Sequence, residues 1–326
     1  MTRAQNRRSE ARELDRRAFV HLVGAGAIAG GIGSALGSSA LAAPTPQSKA
    51  ETFVKRLYDS LKPEQKKIVC LPFSDPRRKR IHPNWHVTEP QIGDDFFTDA
   101  QRELINEILK SVSSEEGYDR FLKQMDDDNG GMEAYSIAIF GKPGEGKFQW
   151  EMTGRHLTIR ADGDSVDKAA FGGPIVYGHG EEEPSDNLFH YQTKMANEVF
   201  AALDAKQRKQ ALLGKAPREM DVPLQGPDGT FPGVPVCELS SDQRELLEKT
   251  VRTMLKPYRE EDVEEVLFIL KAGGGFEKLS IAFYRQGDLK NDKIWDIWRV
   301  EGPNFVWHFR GAPHVHTYLN IGITES

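Results

Sequence analysis

The stretch Asp99-Ala100-Gln101-Arg102-Glu103-Leu104 is repeated 142 residues later as Ser241-Asp242-Gln243-Arg244-Glu245-Leu246. Residues 61–65 and 203–207, which both begin with Leu and end with Gln, are related by the same separation. Further matches follow in order, with Ser-Ile-Ala at 136–138 and 280–282, and Trp150 matching Trp298. Ordered matches at a slowly growing separation are typical of an internal duplication, so we expect two similar halves.

The glutamines of these repeats have the spacing of helix caps. Thr98-x-x-Gln101, Asp204-x-x-Gln207 and Ser240-x-x-Gln243 match the capping box, in which two side chains satisfy free backbone N–H groups at a helix start. We therefore interpret these glutamines as structural and not as catalytic.

Strand patterns follow the helices in each half. β-rich segments at 135–140 and 279–284 each precede a hairpin, one turning at Gly154 and the other at Gly302. Helices followed by an antiparallel meander predict an α+β fold, internally duplicated. We assign residues 43–180 to the first half and 181–326 to the second, which can share one compact domain. The linker between them is predicted at 174–187.

Composition limits the class of protein. The chain has 326 residues, of which 38% are hydrophobic, enough for one large core or two smaller ones. Residues 1–42 hold six arginines against three acidic residues, so the net charge of −6 leaves −9 for the remainder. An acidic body argues against nucleic acid as a partner, because binding to phosphates requires a basic surface.

The N-terminus has the features of a twin-arginine signal peptide spanning residues 1–42. Arg16-Arg17-Ala18-Phe19 has the twin-arginine pattern, a Gly/Ala-rich stretch follows, and Ala40-Leu41-Ala42 is a small-x-small cleavage site. The alternative is a membrane helix, which five glycines between residues 24 and 33 disfavour. We expect the twin-arginine export machinery as a partner, a periplasmic or otherwise exported location, and no stable membrane span after cleavage.

Cys70 and Cys237 are the two cysteines. Outside the cytoplasm a disulfide between them is chemically allowed, but two cysteines this far apart in sequence are more often unpaired.

The segment 305–321 carries the strongest candidate site. Side chains alternate along a strand, so two hairpin strands joined by residues 311–313 would have one apolar and one polar face. Arg310 would then lie opposite His314, and His308 opposite His316. Three imidazoles on one face fit zinc, copper or iron, so the pattern predicts a metal site. Its ligands would be His308, His314 and His316.

Four further residues are candidates for substrate binding. Arg310 and Tyr318 lie on the same predicted face, and Arg310 suits an anionic substrate. His156 follows the turn at Gly154, where a purely local turn role is the alternative. Trp85 lies in a loop that could line a pocket or simply pack. The acidic run at 126–130 lacks the spacing of a calcium loop and is predicted to end a helix.

The chain resembles the bacterial family called domain of unknown function 3500. The resemblance rests on Trp150 followed by Gly154-Arg155-His156-Leu157, on Phe171-Gly172-Gly173-Pro174, and on His314-Val315-His316. It covers nearly the whole chain after residue 42. It implies a shared fold and no established chemistry.

Two functions remain open from the sequence. One is an exported metal-dependent enzyme that uses the histidines of the hairpin. The other is a non-enzymatic protein of the periplasm that binds a small molecule or a component of the cell envelope. The common hydrolase motifs, Gly-x-Ser-x-Gly and His-Glu-x-x-His, do not occur.

Overall fold

A mixed sheet of eleven strands forms the centre of the described part of the chain, residues 43–324, in the computed structural model. The predicted signal peptide lies outside these residues. The strands are β1 (Cys70–Leu71), β2 (Ser136–Gly141), β3 (Phe148–Gly154), β4 (Leu157–Ala161), β5 (Ile175–His179), β6 (Leu212–Leu213), β7 (Val234–Pro235), β8 (Ser280–Tyr284), β9 (Ile297–Gly302), β10 (Phe305–Arg310) and β11 (Val315–Ile321).

Eight α-helices are present in the described residues, and the α+β fold class is confirmed. All three predicted capping boxes are formed, so the glutamines are helix caps. The side chains of Gln65 and Gln101 also bond to each other, as do those of Gln207 and Gln243. The helices are α1 (Lys49–Ser60), α2 (Pro63–Val69), α3 (Asp99–Val112), α4 (Glu115–Asn129), α5 (His190–Ala202), α6 (Ala205–Ala211), α7 (Ser241–Leu255) and α8 (Glu260–Ala272).

The strand order is β1-β2-β3-β4-β5-β11-β10-β9-β8-β6, with β7 paired to β8 outside this path. Each half contributes an antiparallel meander, and the two meanders meet where β5 pairs antiparallel with β11. Trp150 lies opposite Ile139 in the first half, and Trp298 lies opposite Phe283 in the second. This equivalent register supports the duplication, which stays a prediction.

The two faces of the sheet are buried in different ways. One face packs against the helices in a single large core, to which the odd-numbered residues of β10 and most of those of β11 contribute. The other face is covered by residues 71–88 over the first half and residues 213–224 over the second, in small apolar clusters. Polar side chains between these clusters are therefore buried as well.

The predicted linker at 174–187 is wrong in its first part, because residues 175–179 form the central strand β5. The glycines at 178 and 180 gave this segment the appearance of a loop. Gly178 instead lies within the strand, opposite His316.

A buried ion cluster joins helices from the two halves. Arg259, just before α8, donates to Glu51 of α1 at 2.8 and 2.9 Å, and to Asp262 of α8 at 2.9 and 3.2 Å. All three side chains are less than a tenth exposed. The guanidinium thus gives both buried carboxyl groups a cationic partner, and burial raises the pKa of Asp262 to about 7.

Cys70 and Cys237 are both free thiols. Burial raises the pKa of the Cys70 thiol to about 11. Within residues 43–324, no helix is both long and apolar enough to cross a bilayer.

Candidate metal centre

The hairpin of β10 and β11 has a longer loop than the sequence suggested. Arg310 lies opposite His316, and His308 lies opposite Tyr318. The predicted pairing of His308 with His316 is therefore wrong, because His314 still belongs to the connection. A shift of two residues keeps every side chain on its face, so the predicted alternation holds.

Three histidines converge at this end of the sheet. His314 lies in the loop, His316 lies on β11, and His156 lies in the turn between β3 and β4. The Nε2 atom of His316 lies 3.0 Å from that of His314 and 3.0 Å from that of His156. The three candidate ligand atoms all lie within 4.8 Å of one another. We call these residues the histidine triad.

A glycine on the intervening strand lets His156 approach β11. A Cβ atom built on Gly178 would lie 2.2 Å from the Val315 carbonyl oxygen and 3.3 Å from the His156 Cβ atom. A larger residue at 178 would therefore clash with the backbone of β11. His156 itself has a φ of 58°, a strained value for a non-glycine residue, and its N–H donates to the Pro83 carbonyl at 2.6 Å.

A carboxylate lies behind each of the two buried imidazoles. Asp128, near the end of α4, contacts His156 Nδ1 at 2.8 Å through Oδ2, while its Oδ1 accepts a bond from Gly180 N–H at 2.8 Å. Glu219, from the covering segment, contacts His316 Nδ1 at 3.3 Å and lies 3.1 Å from Arg310 Nε. Such outer carboxylates orient metal-binding histidines in many proteins.

The pKa values of both carboxyl groups are lowered despite their burial. Burial would raise the pKa of Asp128, but the hydrogen bond and charge of His156 outweigh this, and the pKa lies below its usual range. Burial likewise opposes ionisation of Glu219, and the contacts with His316 and Arg310 bring its pKa below the usual range. Both groups are therefore carboxylates at neutral pH and accept hydrogen bonds from the imidazoles.

The contacts with the two carboxylates determine the tautomers of His156 and His316, and the unprotonated Nε2 atoms of these two rings face each other. Because a carboxylate only accepts hydrogen bonds, Nδ1 of His156 and of His316 carries the proton in the neutral ring, and Nε2 does not. Burial lowers the pKa of His316, and burial with the neighbouring charges lowers that of His314 to about 4. Two unprotonated Nε2 atoms only 3.0 Å apart repel each other, and a shared cation removes this repulsion.

The donor set suits a first-row transition metal. Zinc takes imidazole nitrogens at about 2.0–2.1 Å, which places tetrahedral ligands roughly 3.3 Å apart. Two of the separations, at 3.0 Å, are close to this value, and the third is at most 4.8 Å, so the loop residue His314 would have to move towards His156. Three neutral nitrogens are also acceptable to copper and iron.

The structure brings together only part of the predicted metal set. His314 and His316 belong to the triad, while His308 lies outside it, buried against Tyr318 and with its Nδ1 atom unpartnered among the described residues. Burial and the Arg299 charge lower the pKa of His308 to about 3, so the ring is neutral. His156, predicted for substrate binding, takes the third position of the triad.

The other predicted substrate residues lie in different surroundings. Arg310 lies beside the triad. It forms an ion pair with Glu219 and donates to the His314 carbonyl at 3.3 Å. Tyr318 is fully buried in the small cluster beneath residues 213–224. Trp85 belongs to the segment 71–88 and is buried between this segment and the sheet, where its Nε1 donates to the Thr158 hydroxyl at 3.3 Å.

Sequence reasoning missed Asp128, Glu219 and Gly178. Asp128 belongs to the acidic run that was correctly predicted to end a helix, since α4 ends at Asn129 and Gly130 is left-handed. No local spacing relates this run to a turn 28 residues later or to β11. Such contacts are visible only once the sheet is assembled.

Comparison with known proteins agrees with the resemblance noted in the sequence. No curated protein and no solved structure matches the chain. A family model described as "Protein of unknown function (DUF3500)" matches residues 43–320, which is most of the chain. The chain therefore belongs to the DUF3500 family of proteins of unknown function.

Proposed function

We propose that the histidine triad binds one transition-metal ion and that this centre is the active site of a metal-dependent enzyme. The observation that carries the proposal is the convergence of three Nε2 atoms, two of which have a carboxylate behind the same ring. Buried imidazoles that merely fill a core have no need to direct their lone pairs at one another.

The surroundings of the triad support a catalytic rather than a closed structural centre. Three histidine ligands leave the fourth coordination position of the ion for water or substrate. The ion would lower the pKa of a water molecule bound in that position, or polarise a carbonyl or phosphoryl group bound there. His156 and His316 are buried, while His314 is only partly so, which gives the centre one accessible side. Asp128 and Glu219 fix the orientation of two rings, and Arg310 holds Glu219 in place.

One observation favours the alternative of a non-enzymatic metal-binding or ligand-binding protein. Both carboxylates that contact the triad are committed to imidazole nitrogens, so neither is free to act as a general base. Assays of ester, amide and phosphoester hydrolysis on metal-loaded protein separate the two functions. Metal binding without turnover would favour the alternative.

The direct test is the metal content of the protein and its variants. Wild-type protein is expected to hold close to one equivalent of metal by elemental analysis after incubation with zinc and gel filtration. His314→Ala and His316→Ala should abolish stoichiometric binding. His86→Ala is the matched control, since His86 is exposed and outside the triad.

A second control addresses the residue that the sequence had suggested as a ligand. His308→Gln should keep the metal, because His308 lies outside the triad. Absence of metal from wild-type protein, or equal loss of metal in the His86 and His316 variants, would contradict the proposal.

We further propose that the protein is exported by the twin-arginine route. The support is the sequence of residues 1–42, and in particular Arg16 and Arg17. Because this route carries folded proteins, a metal could be inserted before export.

A further inference from the structure

We propose that the molecule bound at the centre is an oxyanion, a carboxylate or a phosphate group, held between the metal and the guanidinium of Arg155. This inference rests on the metal centre proposed above and adds the substrate class. Arg155 and His156 are adjacent in the same turn. One turn therefore positions both the His156 imidazole, which would bind the metal, and the guanidinium.

The charges around the triad are the first argument. The three imidazoles are neutral ligands, and two carboxylates and two guanidiniums surround them: Asp128, Glu219, Arg155 and Arg310. These four charges cancel, so a divalent ion would leave the centre with a net charge of about +2. An anion in the fourth position reduces this charge, whereas a neutral molecule does not.

The two arginines differ in exposure and in how many contacts their guanidinium groups make within the described residues. Arg310 is one-fifth exposed, lies 3.1 Å from Glu219 and donates to the His314 carbonyl. Arg155 is 44% exposed, and its one ion pair within the described residues is a long contact of 3.9 Å to Asp128. Arg155 therefore keeps its hydrogen-bond donors for another acceptor, and a guanidinium binds a carboxylate or phosphate through two parallel bonds.

The position of Arg155 brings those donors to the triad. A Cβ atom built on Gly180 would lie 3.1 Å from Arg155 Nη2 and 3.6 Å from His156 Cε1. The guanidinium and the imidazole thus lie side by side over Gly180. The Asp128 Oδ1 atom would lie only 2.5 Å from the same Cβ, so a side chain at residue 180 would clash there. Both Arg155 and His314 are partly exposed, so an anion can approach on their side.

The inference can be tested with cobalt(II) as a spectroscopic probe of the centre. Cobalt-loaded protein is titrated separately with acetate, with inorganic phosphate and with imidazole, and the change in the visible spectrum gives each affinity. Arg155→Gln is compared with Arg252→Gln, which removes an exposed arginine of α7 that pairs with Glu248 and lies over the Phe276 ring.

We expect Arg155→Gln to weaken the binding of the preferred anion about tenfold and to leave the affinities for cobalt and imidazole unchanged. Arg252→Gln should change none of these affinities. Tighter binding of acetate would identify a carboxylate substrate, and tighter binding of phosphate would identify a phosphate ester.

Two failures have different meanings. Cobalt that does not bind overturns the metal centre, and this inference with it. Cobalt that binds, with equal anion affinities in wild type and Arg155→Gln, overturns the oxyanion inference alone. Equal weakening of acetate, phosphate and imidazole would likewise overturn it, because the effect would not depend on charge.

Discussion

Replacing Asp128 by Asn is expected to weaken metal binding while leaving all three imidazoles in place. The carboxylate oxygen Oδ2 lies 2.8 Å from His156 Nδ1 and 2.7 Å from the Gln124 amide nitrogen, and Oδ1 accepts from Gly180 N–H. An Asn that keeps the bond from Gly180 would direct its NH₂ group at the two donors. His156 could then relieve this conflict only by moving its proton from Nδ1 to Nε2.

The size of the expected loss in metal affinity follows from the position of the proton on His156. With Nε2 protonated, His156 has no lone pair for the ion, and metal binding must first restore the other tautomer. Loss of an outer carboxylate of this kind typically costs 10- to 100-fold in affinity, or about 1.4–2.7 kcal/mol. Competition against a chromophoric chelator at pH 7.5 measures the change.

The chain provides a matched control in the neighbouring residue. Asp127 is adjacent in α4 but contacts His179, at 3.1 Å, and not a member of the triad. Asp127→Asn should therefore change metal affinity by less than about threefold, within the effect expected for an exposed charge nearby. Equal losses in the two variants, or none in Asp128→Asn, would refute the assigned role of Asp128.

Further perturbations test the fold, the buried polar face and the export signal. Arg259→Met should lower the free energy of unfolding by about 3–5 kcal/mol in urea titration, because two buried carboxylates lose their cation; additional replacement of both carboxylates by amides should recover part of the loss. His308 has a folded pKa of about 3, below that of the unfolded chain, so its contribution to stability is complete above pH 6.5 and is lost as the pH falls. In metal-free protein, His308→Gln should accordingly reduce the slope of the free energy of unfolding against pH by up to about 1.4 kcal/mol per pH unit. An unchanged slope would argue that His308 does not cause the loss of stability in acid. Joint replacement of Arg16 and Arg17 by Lys should leave uncleaved precursor in the cytoplasm on fractionation, and normal export would exclude the twin-arginine route.

The local features of this fold were predictable because they depend on near neighbours in sequence. A capping box needs only four residues, and Gln101, Gln207 and Gln243 could be assigned without any tertiary contact. Side-chain alternation likewise places Trp307 in the core and His316 on the other face, whatever the register.

The composition of the candidate site was less predictable because it depends on strand order. His156 reaches His316 across β5, in a segment whose glycines suggested a linker. The hairpin register also depends on the length of its loop. Five residues, 311–315, separate the paired residues Arg310 and His316, two more than predicted, which removes His308 from the triad. Asp128 and Glu219 come from a helix end and a covering segment that no pattern connects to the hairpin.

The position of β11 has a consequence for the order in which this protein can be assembled. β11 follows every other strand in the chain, yet it occupies the middle of the sheet between β5 and β10. During synthesis both of those strands present unpaired edges until β11 emerges from the ribosome, and open edges favour association with other chains. Insertion of β11 covers both edges and delivers His314 and His316 in the same event. A chain could therefore bind the proposed metal only after its sheet is complete.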